Sequence, residues 1–232
     1  MTFKLLSTGN PKTLKGEAQG YMSHILHLAP ANLSGVLNTC PKATEGCKSA
    51  CLNTAGRGGM FKKGENTNMI QKARIRKTVM LAENRDSFMS TLFADIKKAI
   101  RLAKKNGFIP VFRLNGTSDL PWEKYIVPGT DVNIFEAFPD VQFYDYTKIL
   151  GRKIKSLANY HLTFSRAENN DKDCERAMRE GMNVAAVYDK IPEGMFSADE
   201  TDLRFLDPKI GYIGLKAKGR AKKDTSGFVI YN

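Results

Sequence analysis

Three cysteines within twelve residues, Cys40, Cys47 and Cys51 of the segment NTCPKATEGCKSACLNTAGRGG, have the type and spacing that demand a chemical explanation. Thiolates gathered this closely hold a metal ion or an iron-sulfur cluster. A structural zinc site usually takes four tetrahedral ligands as two C-x2-C knuckles, and the chain contains no such pairs. Three cysteines on one irregular loop instead suit three-point attachment of a four-iron cluster, which leaves one iron free for a small ligand. Zinc is the alternative. Lys42, Lys48 and Arg57 lie close in sequence and are expected to lower the thiol pKa values. Cys174 shares a helical face with Ala177, Met178 and Gly181 and reads as a core residue. His24, His27 and His161 are further options for a fourth ligand.

A second signal is the density of polar groups where apolar runs end. In FRLNGTSDLPWE these are Arg113, Asn115, Thr117, Ser118 and Asp119, just before the sole tryptophan, Trp122. The pattern recurs with Tyr144, Asp145, Tyr146 and Lys148, then with His161, Thr163 and Ser165, then with Asp189 and Lys190, and finally with Lys216 and Lys218. Five such endings in succession imply one shared pocket. Asp119, Tyr144, Asp145 and Lys148 are the candidates for acid-base chemistry. Arg113, Asn115, Ser118, His161, Thr163, Ser165, Asp189 and Lys216 are the candidates for contacts with a bound ligand or cofactor. No Ser-His-Asp pattern, phosphate loop or dinucleotide glycine signature assembles, so catalysis is left open.

The elements that must position these groups follow from hydrophobic periodicity. Residues 1–20 read as an irregular leader and residues 21–232 as a single α/β domain. YMSHILHLAP is expected as the first strand, with the cysteine loop directly after it. Two helical stretches follow. In the second, Phe88, Leu92, Ile96, Ala99 and Ala103 share one face, with Asp86 or Ser87 as the N-cap and Gly107 at the C-terminal end. FIPVFRLNG, VQFYDYTK, YHLTFSRA, MNVAAVYDK, RFLDP and YIGLKAKG read as strands, separated by NIFEAF, KILGRKIKSLAN and NDKDCERAMREG as turns or helices. This alternation predicts a full or partial (β/α) barrel, with an open doubly wound sheet as the alternative. In either, the carboxyl ends of the strands collect on one edge, where ligands bind.

The chain has 232 residues, enough for one full core, and no apolar run long enough to span a bilayer. The N-terminus lacks the apolar core of a signal peptide, so a cytoplasmic location with reduced thiols is expected. A formal charge of +12 makes nucleic acid a candidate partner. The best patch is Arg57, Lys62, Lys63, Lys72, Arg74, Arg76 and Lys77, supplemented by Arg220, Lys222 and Lys223.

The segments LNTCPKATEGCKSACL, GRGG, RLNGTSDLPWE, FYDYTK, NYHLTFS and GLKAKGRAKKDTSGF resemble the bacteriophage gene product 88-like family. That resemblance implies a phage protein acting in the cytoplasm of a bacterial host, and it carries no biochemical role. A weaker likeness is to radical S-adenosylmethionine enzymes, whose barrels hold a four-iron cluster on three cysteines after the first strand. It implies Cys40, Cys47 and Cys51 as cluster ligands and S-adenosylmethionine as a second cofactor. The C-x6-C-x3-C spacing here is longer than the C-x3-C-x2-C of that superfamily.

Overall fold

The computed structural model describes residues 4–9 and 11–232. Its eight strands form one sheet. In chain order they are β1 (Leu6–Ser7), β2 (Tyr21–Leu26), β3 (Ile109–Arg113), β4 (Gln142–Thr147), β5 (Tyr160–Ser165), β6 (Val184–Tyr188), β7 (Tyr212–Lys216) and β8 (Val229–Ile230). Strands β2 to β7 lie side by side in sequence order and are all parallel, while β1 pairs antiparallel with β2. The sheet does not close on itself: β1 forms one edge and β7 the other. A full, closed barrel is therefore not formed, and the sheet is open. Its order also lacks the reversal that defines a doubly wound sheet. β8 pairs with Val187 and Tyr188, beyond Val184 and Ala185 where β5 pairs, so the C-terminal strand extends the edge that β5 leaves.

Strand alternation sorts the residues onto two faces. Leu26, Phe112 and Phe143 face the helical layer, where Phe88, Met89, Leu92 and Ile96 of α4 (Arg85–Lys105) pack on them. Burying each of these large side chains contributes about 1.5–3 kcal/mol. Farther along the same face, Cys174 and Ala177 of α5 (Asp171–Arg179) meet Phe164 and Val184. The opposite face carries Val111, Tyr144, Tyr146 and Ile213, and residues 196–205 cover it through Phe196, Ala198, Leu203 and Phe205.

α4 carries the expected stripe, with Phe88, Leu92, Ile96, Ala99 and Ala103 all buried. Its cap is Asn84, upstream of Asp86: the Asn84 side chain accepts a hydrogen bond from the Ser87 amide at 3.0 Å. Gly107 ends the helix at φ +75°, a conformation glycine adopts without a Cβ clash. The sequence also contains α1 (Pro11–Glu17) and β1 where an irregular leader was expected. α2 (Glu45–Ser49) and α3 (Met69–Glu83) complete the set.

One expected strand is absent, and two segments read as turns or helices are turns. RFLDP is a 3₁₀ turn over Arg204–Leu206, because Arg204 is buried and paired with Asp207 at 3.0 Å. NIFEAF is a short turn closed by Asn133, whose side chain accepts from the Phe135 and Glu136 amides. KILGRKIKSLAN has no helix, since Arg152 is drawn inward to Glu123 at 2.5 Å and to the Tyr160 hydroxyl at 3.1 Å.

The helix-side histidine His24 is buried and stacked on Phe112. Burial, with a smaller contribution from Lys4, lowers its pKa to about 4. The unfolded chain binds that proton near pH 6.5, so the unfolded state gains protons first as pH falls. Stability should therefore drop as pH falls from about 6.5 to 4, with His24 contributing about 1–2 kcal/mol of the loss. In urea titrations, His24→Phe should flatten this slope; an unchanged slope would contradict the assignment.

Candidate cysteine-cluster site

All three cysteines lie on the segment that follows β2, beyond the carboxyl ends of the parallel strands. Each is tied to a different neighbouring loop. The turn before Cys40 is fixed by Thr39, whose hydroxyl donates to the Ala29 carbonyl at 2.6 Å and whose own carbonyl accepts from the Asp119 amide at 2.8 Å. Cys40 Sγ lies 3.7 Å from the Thr117 carbonyl, on the loop after β3. That loop can approach because residue 116 is glycine: a Cβ there would come within 2.6–2.8 Å of Ile25, His27 and the Leu26 carbonyl.

Cys47 sits on α2. The Thr44 hydroxyl caps that helix by accepting from the Cys47 amide at 3.1 Å, and it donates to Glu168 Oε2 at 2.7 Å. Glu168 Oε1 accepts from the Gly46 amide at 2.8 Å, so one carboxylate from the loop after β5 holds the start of the helix. A Cβ on Gly46 would fall 2.1 Å from Ser226 Oγ. Cys47 packs against buried Ala50, Ala167, Ala217, Ala221, Phe228 and Val229, which brings in the loops after β5 and β7 and the C-terminal strand.

Cys51 Sγ accepts from the Asn53 amide at 3.4 Å. Asn53 is held in turn by Arg74 of α3, whose guanidinium donates to its side-chain oxygen at 2.6 Å. Gln71 and Asn68 of the same helix donate to carbonyls of the glycine-rich turn 56–59. That turn requires its glycines, since a Cβ on Gly59 would fall 2.0 Å from the Thr54 carbonyl.

The thiols sense one another electrically. Burial pushes the Cys51 pKa up to about 11, and the charges of Cys47 and Cys40 push the same way, while the Asn53 amide and Arg74 oppose them. Cys40 is also raised, first by burial and then by Asp119 and Cys47, against hydrogen bonds from Ala31 and Thr39. The expected lowering by Lys42, Lys48 and Arg57 is not what these thiols experience. Lys48 turns to Glu45 at 2.6 Å, and Lys42 and Arg57 are exposed. Arg74 is the cation that acts on Cys51.

Of the other candidate residues, Asp119, Lys148 and Ser165 gather near the cysteine loop. Asp119 accepts from Thr147 Oγ1 and the Lys148 amide, both at 2.8 Å, and burial raises its pKa. Lys148 Nζ bonds Ser165 Oγ at 3.1 Å and lies over the Phe228 ring. Asn115, Ser118 and Asp145 form a buried brace: Asn115 Oδ1 accepts from Ser118, Leu120 and Trp122, and Asp145 accepts from the Asn115 amide and the Tyr160 hydroxyl. Burial raises Asp145 to about 7, with Arg113 opposing. Tyr144, Arg113, His161 and Thr163 line the opposite face, under residues 196–205. There Tyr144 donates to Ser23, and Arg113 pairs with Asp202 at 3.0 Å. Asp189 accepts from the Asn232 amide, and exposed Lys216 donates its amide to Asp199.

Thr39, Thr44, Asn53, Arg74 and Glu168 hold the cysteines and were not singled out by sequence as site residues. Thr44 carried a signal, a threonine three residues ahead of Cys47 at a helix start. Glu168 did not, because its partners lie more than a hundred positions away.

Three thiols are soft donors that suit zinc and iron-sulfur units alike. A tetrahedral zinc with Zn–S bonds of about 2.3 Å requires sulfurs about 3.8 Å apart. Among the described residues, no group of three or more His, Cys, Asp or Glu gathers so as to hold a metal ion. An amide hydrogen bond reaches Cys51, and the charge of Arg74 acts on it.

The sequence profile of the gene product 88 family matches residues 4–232. The chain belongs to the gene product 88 family. No curated protein and no solved structure matches it, so the comparisons give the radical S-adenosylmethionine likeness no support. In this gene product 88 protein, no helix among the described residues is long and apolar enough to cross a membrane.

Glu168→Ala removes two hydrogen bonds that hold the start of α2. It should destabilise the fold by about 1–2 kcal/mol and speed alkylation of Cys47 several-fold in the metal-free protein. Cys47 reactivity equal to wild type would show that Glu168 does not hold this helix.

Proposed function

We propose that the protein carries a [4Fe-4S] cluster on Cys40, Cys47 and Cys51 and acts as an iron-sulfur protein in the cytoplasm of the phage-infected cell. The observation that carries this reading is that one loop at the strand ends holds three half-buried thiols, with Cys40 and Cys51 each sensing the charge of Cys47. A cluster held by three cysteines supplies an iron open to a small ligand and a site for one-electron chemistry. Around it the chain supplies the rest. Arg74 offsets negative charge at Cys51, Asp119 is the titratable carboxyl that acts on Cys40, and Lys148 with Ser165 presents donors behind it.

Asp119 is the nearby carboxyl of this reading: burial raises its pKa, and hydrogen bonds from the Lys148 amide and Thr147 oppose that shift. The position of the loop, after the first of six sequential parallel strands, makes S-adenosylmethionine the first small ligand to test.

Protein purified without oxygen should be brown and contain iron with acid-labile sulfide. Cys40→Ser, Cys47→Ser and Cys51→Ser should each lose most of that iron, while Cys174→Ser retains it, because Cys174 is a core residue against Phe164. Stoichiometric zinc without sulfide would replace the cluster reading with zinc. A cluster spectrum unchanged by S-adenosylmethionine would remove that ligand and leave the cluster in place.

A further inference from the structure

Beside the cysteine loop, the turn 55–66 and the start of α3 enclose an open groove of about 300 Å³, lined by Arg57, Met60, Lys62, Met69, Ile70 and Lys72, with Glu65 and Asn68 also at its wall. The groove is built, because Asn68 Nδ2 donates to the Arg57, Gly58 and Met60 carbonyls at 3.0–3.1 Å and pins the turn to the helix. Its chemistry is of two kinds. Arg57, Lys62 and Lys72 are exposed cations, and Met60 and Met69 are each 71 % exposed, far more than a core residue. Phe61 is also exposed, next to Met60.

A second basic segment reaches the same side of the molecule. The 3₁₀ turn Gly219–Lys223 packs on the cysteine loop, with the Cβ position of Gly219 only 3.2 Å from Ala55 Cα and the Thr54 carbonyl. It presents exposed Arg220, Lys222 and Lys223. Arg74 and Lys77 do not join this surface. They turn inward, Arg74 to Asn53 and Lys77 to the Leu5 carbonyl. The exposed patch is therefore narrower than the sequence suggested.

We propose that this groove binds single-stranded nucleic acid. Cations along both walls match a phosphate backbone. The exposed methionines of the groove give unstacked bases an apolar, polarisable surface, which a duplex with paired bases cannot use. A merely acidic protein would satisfy the cations and leave the methionines unexplained. This inference is independent of which metal the cysteines hold.

The test uses full-length protein and a short fluorescein-labelled oligothymidylate, read by fluorescence polarisation across a salt series. Binding should weaken linearly in log–log form with salt. Lys62→Glu with Lys72→Glu should weaken it at least tenfold and reduce the slope by about 1.4. Lys98→Glu with Lys105→Glu, an equal charge change on exposed positions of α4, should leave it unchanged. Met60→Ala with Met69→Ala should weaken oligothymidylate several-fold without altering heparin binding. Equal losses in the two charge-reversal variants, equal affinity for duplex DNA, or equal competition by polyglutamate would each overturn the proposal. Iron and sulfide content measured on the same samples separates its failure from failure of the cluster reading.

Discussion

Burial of the cysteine loop against the carboxyl ends of the parallel strands is the constraint on which this structure depends. A loop of this length has backbone groups that must find partners once it leaves water. Here the Gly46 amide and the Asn53 carbonyl find them in side chains, Glu168 from the loop after β5 and Arg74 from α3, while Cys40 Sγ lies against the Thr117 carbonyl of the loop after β3. The same contacts bring the three thiols within reach of one another's charge. Organising the site and folding the top of the sheet are thus one process.

That arrangement has an electrostatic cost. Thiols buried this way resist ionisation, and Cys51 rises to about 11. Without a metal Cys51 stays protonated at neutral pH. A cation or cluster that binds the thiols must displace that proton, and metal binding then couples to pH and to stability. Arg74 is also desolvated, and its pKa is lowered by that burial while Cys51 opposes the shift.

Much of this was legible in the sequence. The strand runs β2 to β7 and the two long helices follow from periodicity, and the order of strands along the sheet follows from their alternation with connections. The end of α4 at Gly107 was readable because only a residue without Cβ turns there easily. Other features were not readable. KILGRKIKSLAN has helical composition, yet Arg152 pairs with Glu123 and Tyr160, and a long-range buried ion pair outweighs local propensity. Asp145 looked like a group facing a pocket, yet alternation in β4 places it toward the helices, where it braces Asn115. The polar strand ends were real, but sequence could not say which face each would take. Arg113, Tyr144, His161 and Thr163 went to the covered face, whereas Asp119 and Lys148 stayed with the cysteines.

The central claim is that one inorganic cluster is held by three thiols of this loop. Native mass spectrometry of protein prepared without oxygen tests it most directly. The account predicts a species heavier than the chain by four irons and four sulfides, reduced to the bare chain when Cys51 is replaced by serine. A wild-type mass equal to the bare chain, or to the chain plus one zinc, would contradict it.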